Sequence, residues 1–244
     1  MMNIIIRNIP NSITSLNLIS GIAGILCAFS GRLELSFLLM LAAALFDFFD
    51  GFAARALKAY SPMGKELDSL ADSVSFGLLP AIMLHRLMVL MSGPSAIWCY
   101  VPLVIALFSV LRLAKFNVDE RQSENFIGLA TPASAMICGS LTFYILHEPD
   151  SFLTRWADGN VFIPVVSVLL SVLMISEIPM FSMKIKKGVS KDSPLYRQRV
   201  TFIGIIIIAV ILVLTMGLNW SMTVLLSFVA YIILNLLSRP LFGK

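Results

Sequence analysis

Charge is scarce in this chain. Lys, Arg, Asp and Glu make up 13% of its 244 residues, against 58% hydrophobic residues. A soluble domain carries about a quarter charged residues. Together with a mean hydropathy of +0.91, that shortage excludes an ordinary soluble domain and indicates a polytopic membrane protein. Cysteine is also rare. Cys27, Cys99 and Cys138 all lie in apolar runs without metal-like spacing, so they read as small buried hydrophobes. No low-complexity segment and no internal repeat is visible, which leaves no basis for separate domains or a repeat array. The net charge is only +4, and its basic residues cluster in a few loops. They read as topology signals and lipid-headgroup contacts rather than a nucleic-acid surface.

What the chain has in abundance is apolar runs of the ~20 residues that a spanning helix needs. Eight are expected: Thr14–Ser30, Leu33–Leu57, Lys65–Met91, Ala96–Phe116, Leu129–Leu146, Phe162–Met183, Val200–Leu218 and Met222–Leu241. Ile9-Pro10-Asn11 reads as a turn and helix start before the first, and Pro132 and Gly139 interrupt the fifth. The opening MMNIIIRNIPNSIT is too short and interrupted for a cleaved signal peptide. The expected fold is all-α: a polytopic membrane bundle of about eight transmembrane helices.

Orientation follows from lysine and arginine. With the N-terminus inside, fifteen of the 18 basic residues fall on the inner side, and only Arg32, Arg86 and Arg155 on the outer. Both termini are then cytoplasmic. The most basic loop, 184–199, reads as a topology determinant.

The scarce carboxylates are concentrated between Asp47 and Asp72. Asp47, Asp50, Ala54 and Arg55 share roughly one helical face, and Gly64, Asp68 and Asp72 share another. A Ser-Pro break at Ser61 separates the two sets, so the stretch reads as a helix hairpin with facing acidic stripes that opens to the cytoplasm. Carboxylates gathered at membrane depth repel one another unless cations neutralise them. Hard oxygen ligands suit Mg²⁺, Mn²⁺ or Ca²⁺ rather than zinc, and paired cations of this kind serve phosphoryl chemistry. Gly51 has no side chain to block a ligand's approach to the backbone. Arg55 carries a fork suited to a pyrophosphate, and Ser61 and Gly64 lie in the bend, within reach of phosphate or nucleotide.

This stretch resembles the signature of the CDP-alcohol phosphotransferase family, D-x2-D-G-x2-A-R-x(7–8)-G-x3-D-x3-D. Every fixed position is filled, by Asp47, Asp50, Gly51, Ala54, Arg55, Gly64, Asp68 and Asp72. The resemblance implies a reaction in which the hydroxyl of one alcohol displaces CMP from a CDP-alcohol, with two divalent cations, Mg²⁺ or Mn²⁺. It implies that Asp47 and Asp68 bridge both ions, that Asp50 binds the first and Asp72 the second, and that Asp72 is also the base. It assigns Gly51, Arg55 and Ser61 to the CDP-linked lipid. Pro10-Asn11-Ser12-Ile13-Thr14 resembles the family's P-N-x-x-T motif at the first helix, which brings Asn11 and Thr14 to the nucleotide pocket. It also implies a homodimer within the membrane. The expected organisation is one integral membrane domain over 1–244, with a family core of about 10–184 and two added spans within 200–241.

The signature leaves the acceptor open. The segments ELDSLADSVSFGLLPA, SVLRLAKFNV (109–118), NFIGLATPASA (125–135) and SEIPMFSMK (176–184) resemble the phosphatidylserine synthases of bacteria and archaea, with Ala130 where proline is usual. That implies CDP-diacylglycerol and L-serine as substrates and an inner-membrane protein with its site facing the cytoplasm. Arg112 and Lys115, one turn apart on the fourth span, are candidates for the serine carboxylate or the pyrophosphate. Glu177, read as an intramembrane carboxylate, is a candidate for the serine ammonium or a partner for Arg112. Two alternatives stand beside this reading. One keeps the chemistry but takes glycerol 3-phosphate or an inositol phosphate, which calls for more basic residues than the chain offers near the site. The other is a divalent-cation or proton transporter built on the same aspartates, for which duplicated halves are expected.

Overall fold

The computed structural model describes residues 4–93, 97–119, 126–181 and 194–237. The described residues form ten α-helices: α1 (Ile4–Phe29), α2 (Leu33–Ala56), α3 (Pro62–Asp72), α4 (Leu79–Ser92), α5 (Val104–Val118), α6 (Thr131–His147), α7 (Phe152–Ala157), α8 (Phe162–Ile175), α9 (Pro194–Thr215) and α10 (Ser221–Leu237). A π-helical turn, Ser73–Leu78, joins α3 to α4, and a 3₁₀ stretch, Ile97–Leu103, leads into α5. The described residues contain one strand pairing, two residues long: β1 (Phe126–Ile127) lies antiparallel to β2 (Pro179–Met180).

The all-α membrane bundle is borne out, and the span count needs refinement. Each of the eight expected segments contains helix within its described residues. Among the described residues five stretches are long and apolar enough to cross a membrane: Asn8–Phe29, Leu33–Ala56, Pro62–Ser92, Ile97–Val118 and Tyr196–Thr215. The other three are shorter: α6 and α10 have 17 residues each and α8 has 14. For α6 the reason is burial. Nearly every residue from Thr131 to Ile145 is buried among neighbouring helices, so protein rather than lipid surrounds it. This chain is an integral membrane protein.

Three boundaries differ from the sequence reading. Helix α1 begins well before Pro10 and runs through it; a proline removes one intrahelical bond and the helix continues. Pro132 sits in the first turn of α6, where its missing N–H has no intrahelical acceptor anyway, so α6 is unbroken. The sixth span stops at Ile175, and Ser176 is already extended. Pro179 disfavours helix at the residue before it. Of the basic loop expected over 184–199, residues 184–193 lie outside the described residues and 194–199 already belong to α9, which starts before the expected Val200.

In lipid, helices associate through packing and interhelical polar contacts. Gly139 of α6 lies so close to Phe37 and Met40 of α2 that a Cβ there would collide with both. Gly77 in the π-turn abuts Ser109 of α5 in the same way. The π-turn is closed by the Leu79 N–H reaching back five residues to the Val74 carbonyl. Ser75 within it donates to the Asn17 carbonyl of α1 at 3.1 Å. These contacts fix α1, α2, α3 and α5 around one polar site.

Candidate active site

Helix α2 carries Asp47 and Asp50 in its last turns and ends at Ala56, with Arg55 favourably placed near its C-terminus. The chain reverses, with Lys58 at φ +50°. Ser61 then caps α3, accepting from the Gly64 N–H at 2.9 Å, and Pro62 occupies the first turn. The expected Ser-Pro bend is therefore a capped helix start. Gly64 is packed rather than open, since a Cβ would come 2.9 Å from Asn11 Oδ1 and 3.0 Å from Ser61 Oγ. Gly51 is the open one: a Cβ there would meet only Arg55 Nη1, at 3.9 Å.

The two acidic stripes do face each other. One carboxylate oxygen from each of Asp47, Asp50 and Asp68 lies within 4.8 Å of the others. At that spacing each pair of charges repels by about 3 kcal/mol even at an effective dielectric constant of ~20. Asp68 Oδ1 is buried with no hydrogen-bond partner. Three converging carboxylates with an unsatisfied buried oxygen fit a hard divalent cation.

The hairpin picture omits a third helix. Thr14 of α1 donates to Asp50 Oδ2 at 2.6 Å, with the Pro10 carbonyl 3.0 Å away as a second acceptor. Asn17, fully buried, donates through Nδ2 to Asp72 Oδ1 at 3.2 Å. Asp72 and Asp50 are only 9% and 6% exposed, so their orientation is set by these contacts from α1. Sequence reasoning passed over Asn17. Its signal was the recurrence of Asn11, Thr14 and Asn17 every third residue of α1, which places them near one face.

Two clefts meet at the acidic cluster. The smaller, ≈ 590 Å³, is walled by Asn11, Thr14, Tyr60, Ser61 and Gly64. The larger, ≈ 1390 Å³, includes Asp47, Arg55, Asp72, Arg112, Phe116 and Ala130. Asp50, Gly51, Lys65 and Asp68 line both. Lys65 also reaches across to α5, donating to the Asn117 carbonyl at 3.2 Å, while Asn117 Nδ2 donates to Ser69 Oγ at 2.9 Å.

Arg112 projects from α5 into the larger cleft. It is 7% exposed and lies over the Phe116 ring at 5.2 Å. Its Nη1 donates to Thr131 Oγ1 at 3.4 Å, and its Nε has no hydrogen-bond partner. Lys115 is not beside it in the cleft wall but pairs with Glu177 at 3.6 Å. Glu177 departs from its reading as an intramembrane carboxylate. With α8 ended at Ile175, it stands on the connector to β2 with a largely exposed side chain, and its ion-pair partner is Lys115 instead of Arg112.

The family model described as CDP-alcohol phosphatidyltransferase matches residues 7–178. The chain belongs to the CDP-alcohol phosphatidyltransferase family. Among its relatives are the CDP-diacylglycerol–serine O-phosphatidyltransferases of Mycobacterium leprae and Bacillus subtilis. The first is 36% identical over 183 residues, 72% of this chain and 58% of the relative. The second is 36% identical over 135 residues, 55% of this chain and 75% of the relative. The archaetidylserine synthase of Methanothermobacter thermautotrophicus is 34% identical over 178 residues, 70% and 68% of the two chains. The chain thus spans under three-fifths of the length of the M. leprae relative. The stretch matched to the CDP-alcohol phosphatidyltransferase family runs from α1 to just past α8 and takes in all four aspartates, leaving α9 and α10 beyond it.

Proposed function

We propose that this protein transfers the phosphatidyl group of CDP-diacylglycerol to the hydroxyl of L-serine, giving phosphatidylserine and CMP. The observation that carries this reading is the seam between the clefts. Asp50 and Asp68 line both, so a phosphoryl group at the seam has the recess of Asn11, Ser61 and Gly64 on one side and the Arg112 cleft on the other. The CDP moiety occupies the smaller cleft against Asn11, Thr14, Ser61 and Gly64. Gly51 leaves room for the diphosphate, and Arg55 grips it from the larger cleft.

Asp47, Asp50, Asp68 and Asp72 would hold two divalent cations, Mg²⁺ or Mn²⁺, which would supply neutralising charge to the diphosphate and the leaving CMP. In the transfer, Asp72 takes the serine hydroxyl proton. The hydroxyl oxygen attacks the phosphorus bearing the diacylglycerol, and the bond from that phosphorus to the oxygen of CMP breaks. Arg112 supports serine over a neutral alcohol. A buried guanidinium with an unpartnered Nε matches a carboxylate, and the relatives above carry the names of serine or archaetidylserine enzymes. Lys115 and Glu177, an exposed ion pair, meet the acceptor's zwitterionic groups on entry. The lysine and arginine balance supports a cell-membrane protein with the site facing the cytoplasm. The family resemblance supports one membrane domain over the whole chain and a homodimer.

The test is CMP release by purified protein in detergent with CDP-diacylglycerol, Mg²⁺ or Mn²⁺, and serine, glycerol 3-phosphate or an inositol phosphate in turn. Serine-dependent release that disappears in Asp72→Asn is expected. Release with another acceptor would keep the mechanism and replace serine. No release, together with metal uptake into sealed vesicles, would transfer the aspartates to a transport role.

A further inference from the structure

Helix α10 lies outside the stretch matched to the family, yet its last two turns bury two polar side chains. Asn235 is 1% exposed and Tyr231 is also buried. A polar side chain inside an apolar bundle is costly unless it is satisfied, and both spend their polar atoms on one residue. Asn235 Oδ1 accepts from the Phe181 N–H at 2.8 Å. The Tyr231 hydroxyl donates to the Phe181 carbonyl at 3.0 Å. The Asn235 amide is itself held by Nδ2 donating to the Tyr231 carbonyl at 2.7 Å. Residues one turn apart on α10 therefore meet both backbone polar groups of a single extended residue. The Phe181 ring packs in a three-ring cluster with Phe202 of α9 and Tyr231, with centroids 5.0 to 5.7 Å apart.

The clamped residue leads directly to the acceptor side of the site. Phe181 follows β2, which pairs with β1. The chain after β1 lies on the end of α8: Gly128 N–H donates to the Ile178 carbonyl and Leu129 N–H to the Leu173 carbonyl, both at 2.9 Å. Gly128, at φ +77°, lies so close to the Met174 and Ser176 carbonyls that any Cβ would collide with them. Three residues after Gly128 comes Thr131, the hydroxyl that accepts from Arg112.

The geometry points to Tyr231 and Asn235 as positioning residues for the acceptor: α10 clamps the β1–β2 strap, and the strap fixes the Thr131 wall on which Arg112 is oriented. The clamp explains why two helices beyond the matched stretch belong to the working unit. It rests on the proposed function in that Arg112 is taken to receive the acceptor.

Tyr231→Phe removes one hydroxyl and keeps the ring. Tyr231→Phe with Asn235→Leu removes the clamp altogether. Both are made in the full chain and compared with wild type in detergent. The single change is expected to raise the serine KM about three- to tenfold, the usual reach of one neutral hydrogen bond. The double change should raise it further, with the KM for CDP-diacylglycerol within twofold. Hydrogen exchange at the Gly128 and Leu129 amides should accelerate in step. A uniform loss of activity that tracks the folded fraction, with acceptor KM unchanged, overturns the inference, as does faster exchange without a change in acceptor KM. Unchanged exchange overturns it from the other side. If wild type uses another acceptor, its KM is read instead, so the serine assignment fails while the clamp is still judged. The exchange experiment needs no turnover and judges the strap even in an inactive preparation.

Discussion

Replacing Asn17 with alanine tests the three-helix construction of the site at its most buried point. The side chain is fully enclosed and donates to Asp72 Oδ1 at 3.2 Å. A hydrogen bond to a charged group contributes about 1.5–3 kcal/mol. The length here, at the far end of the ordinary range, argues for the lower figure. About 1.5 kcal/mol corresponds to roughly a tenfold change in rate if the bond holds Asp72 where it must meet the acceptor proton. The Thr14–Asp50 contact and the smaller cleft are untouched, so substrate capture there is preserved. Steady-state CMP release, with each substrate varied at saturation of the other, should show kcat reduced about tenfold and the KM for CDP-diacylglycerol within twofold. Asn17→Asp should do worse than alanine, because it sets a fifth carboxylate beside the cluster at a repulsion of about 3 kcal/mol or more. An Asn17→Ala protein with wild-type kcat would refute the reasoning, and a lowered thermal midpoint beside that kcat would reduce Asn17 to a packing residue.

Other consequences are as open to measurement. Arg112→Ala should raise the serine KM by tenfold or more, since a charged partner for the carboxylate is removed; unchanged KM values for both substrates would take Arg112 out of the site. Adding Mg²⁺ or Mn²⁺ to chelator-treated protein should raise its thermal midpoint, because an ion at ~100 times its dissociation constant stabilises the folded state by about 2.7 kcal/mol. That gain should be lost in Asp68→Asn, and equal midpoints with and without ions would argue against a metal at the triad. Gly139→Ala pushes a Cβ into Phe37 and Met40 and should destabilise the bundle by about 1–3 kcal/mol, read as a lower midpoint in detergent with near-normal turnover per folded molecule.

The acidic residues were legible because their spacing is local. Asp47 and Asp50, and likewise Asp68 and Asp72, sit a turn apart on single helices, and the bend between them is announced by Ser61-Pro62. Asn17 was not legible because its role depends on where α1 lies against α3, a contact between residues 55 apart. Glu177 misled for a related reason. Its surroundings are apolar enough to read as helix, but Ser176 turns extended and the carboxylate leaves the bundle for Lys115. Pro10 misled in the opposite direction, being carried inside α1 rather than marking its start. Helix existence follows from apolar length, whereas helix ends follow from tertiary contacts that composition does not show.

The π-turn at Ser73–Leu78 has a consequence for which changes in length the chain can tolerate. An α-helix turns about 100° per residue, so a π-turn absorbs one extra residue that a regular helix would express as a rotation of everything beyond it. Here it lets α3 aim its carboxylates at α1 and α2 while α4 turns its own apolar side into the core. Deleting one residue from the regular helix on either side of it would instead rotate Met83, Leu84 and Leu87, all buried in the core, by about 100° away from their partners. The same deletion in the Asn219-Trp220 turn, far from any such junction, would shift only a connection. The stretch from Asp47 to Leu87 is therefore expected to keep a fixed length among functional variants of this chain, with insertions and deletions confined to the loops outside it.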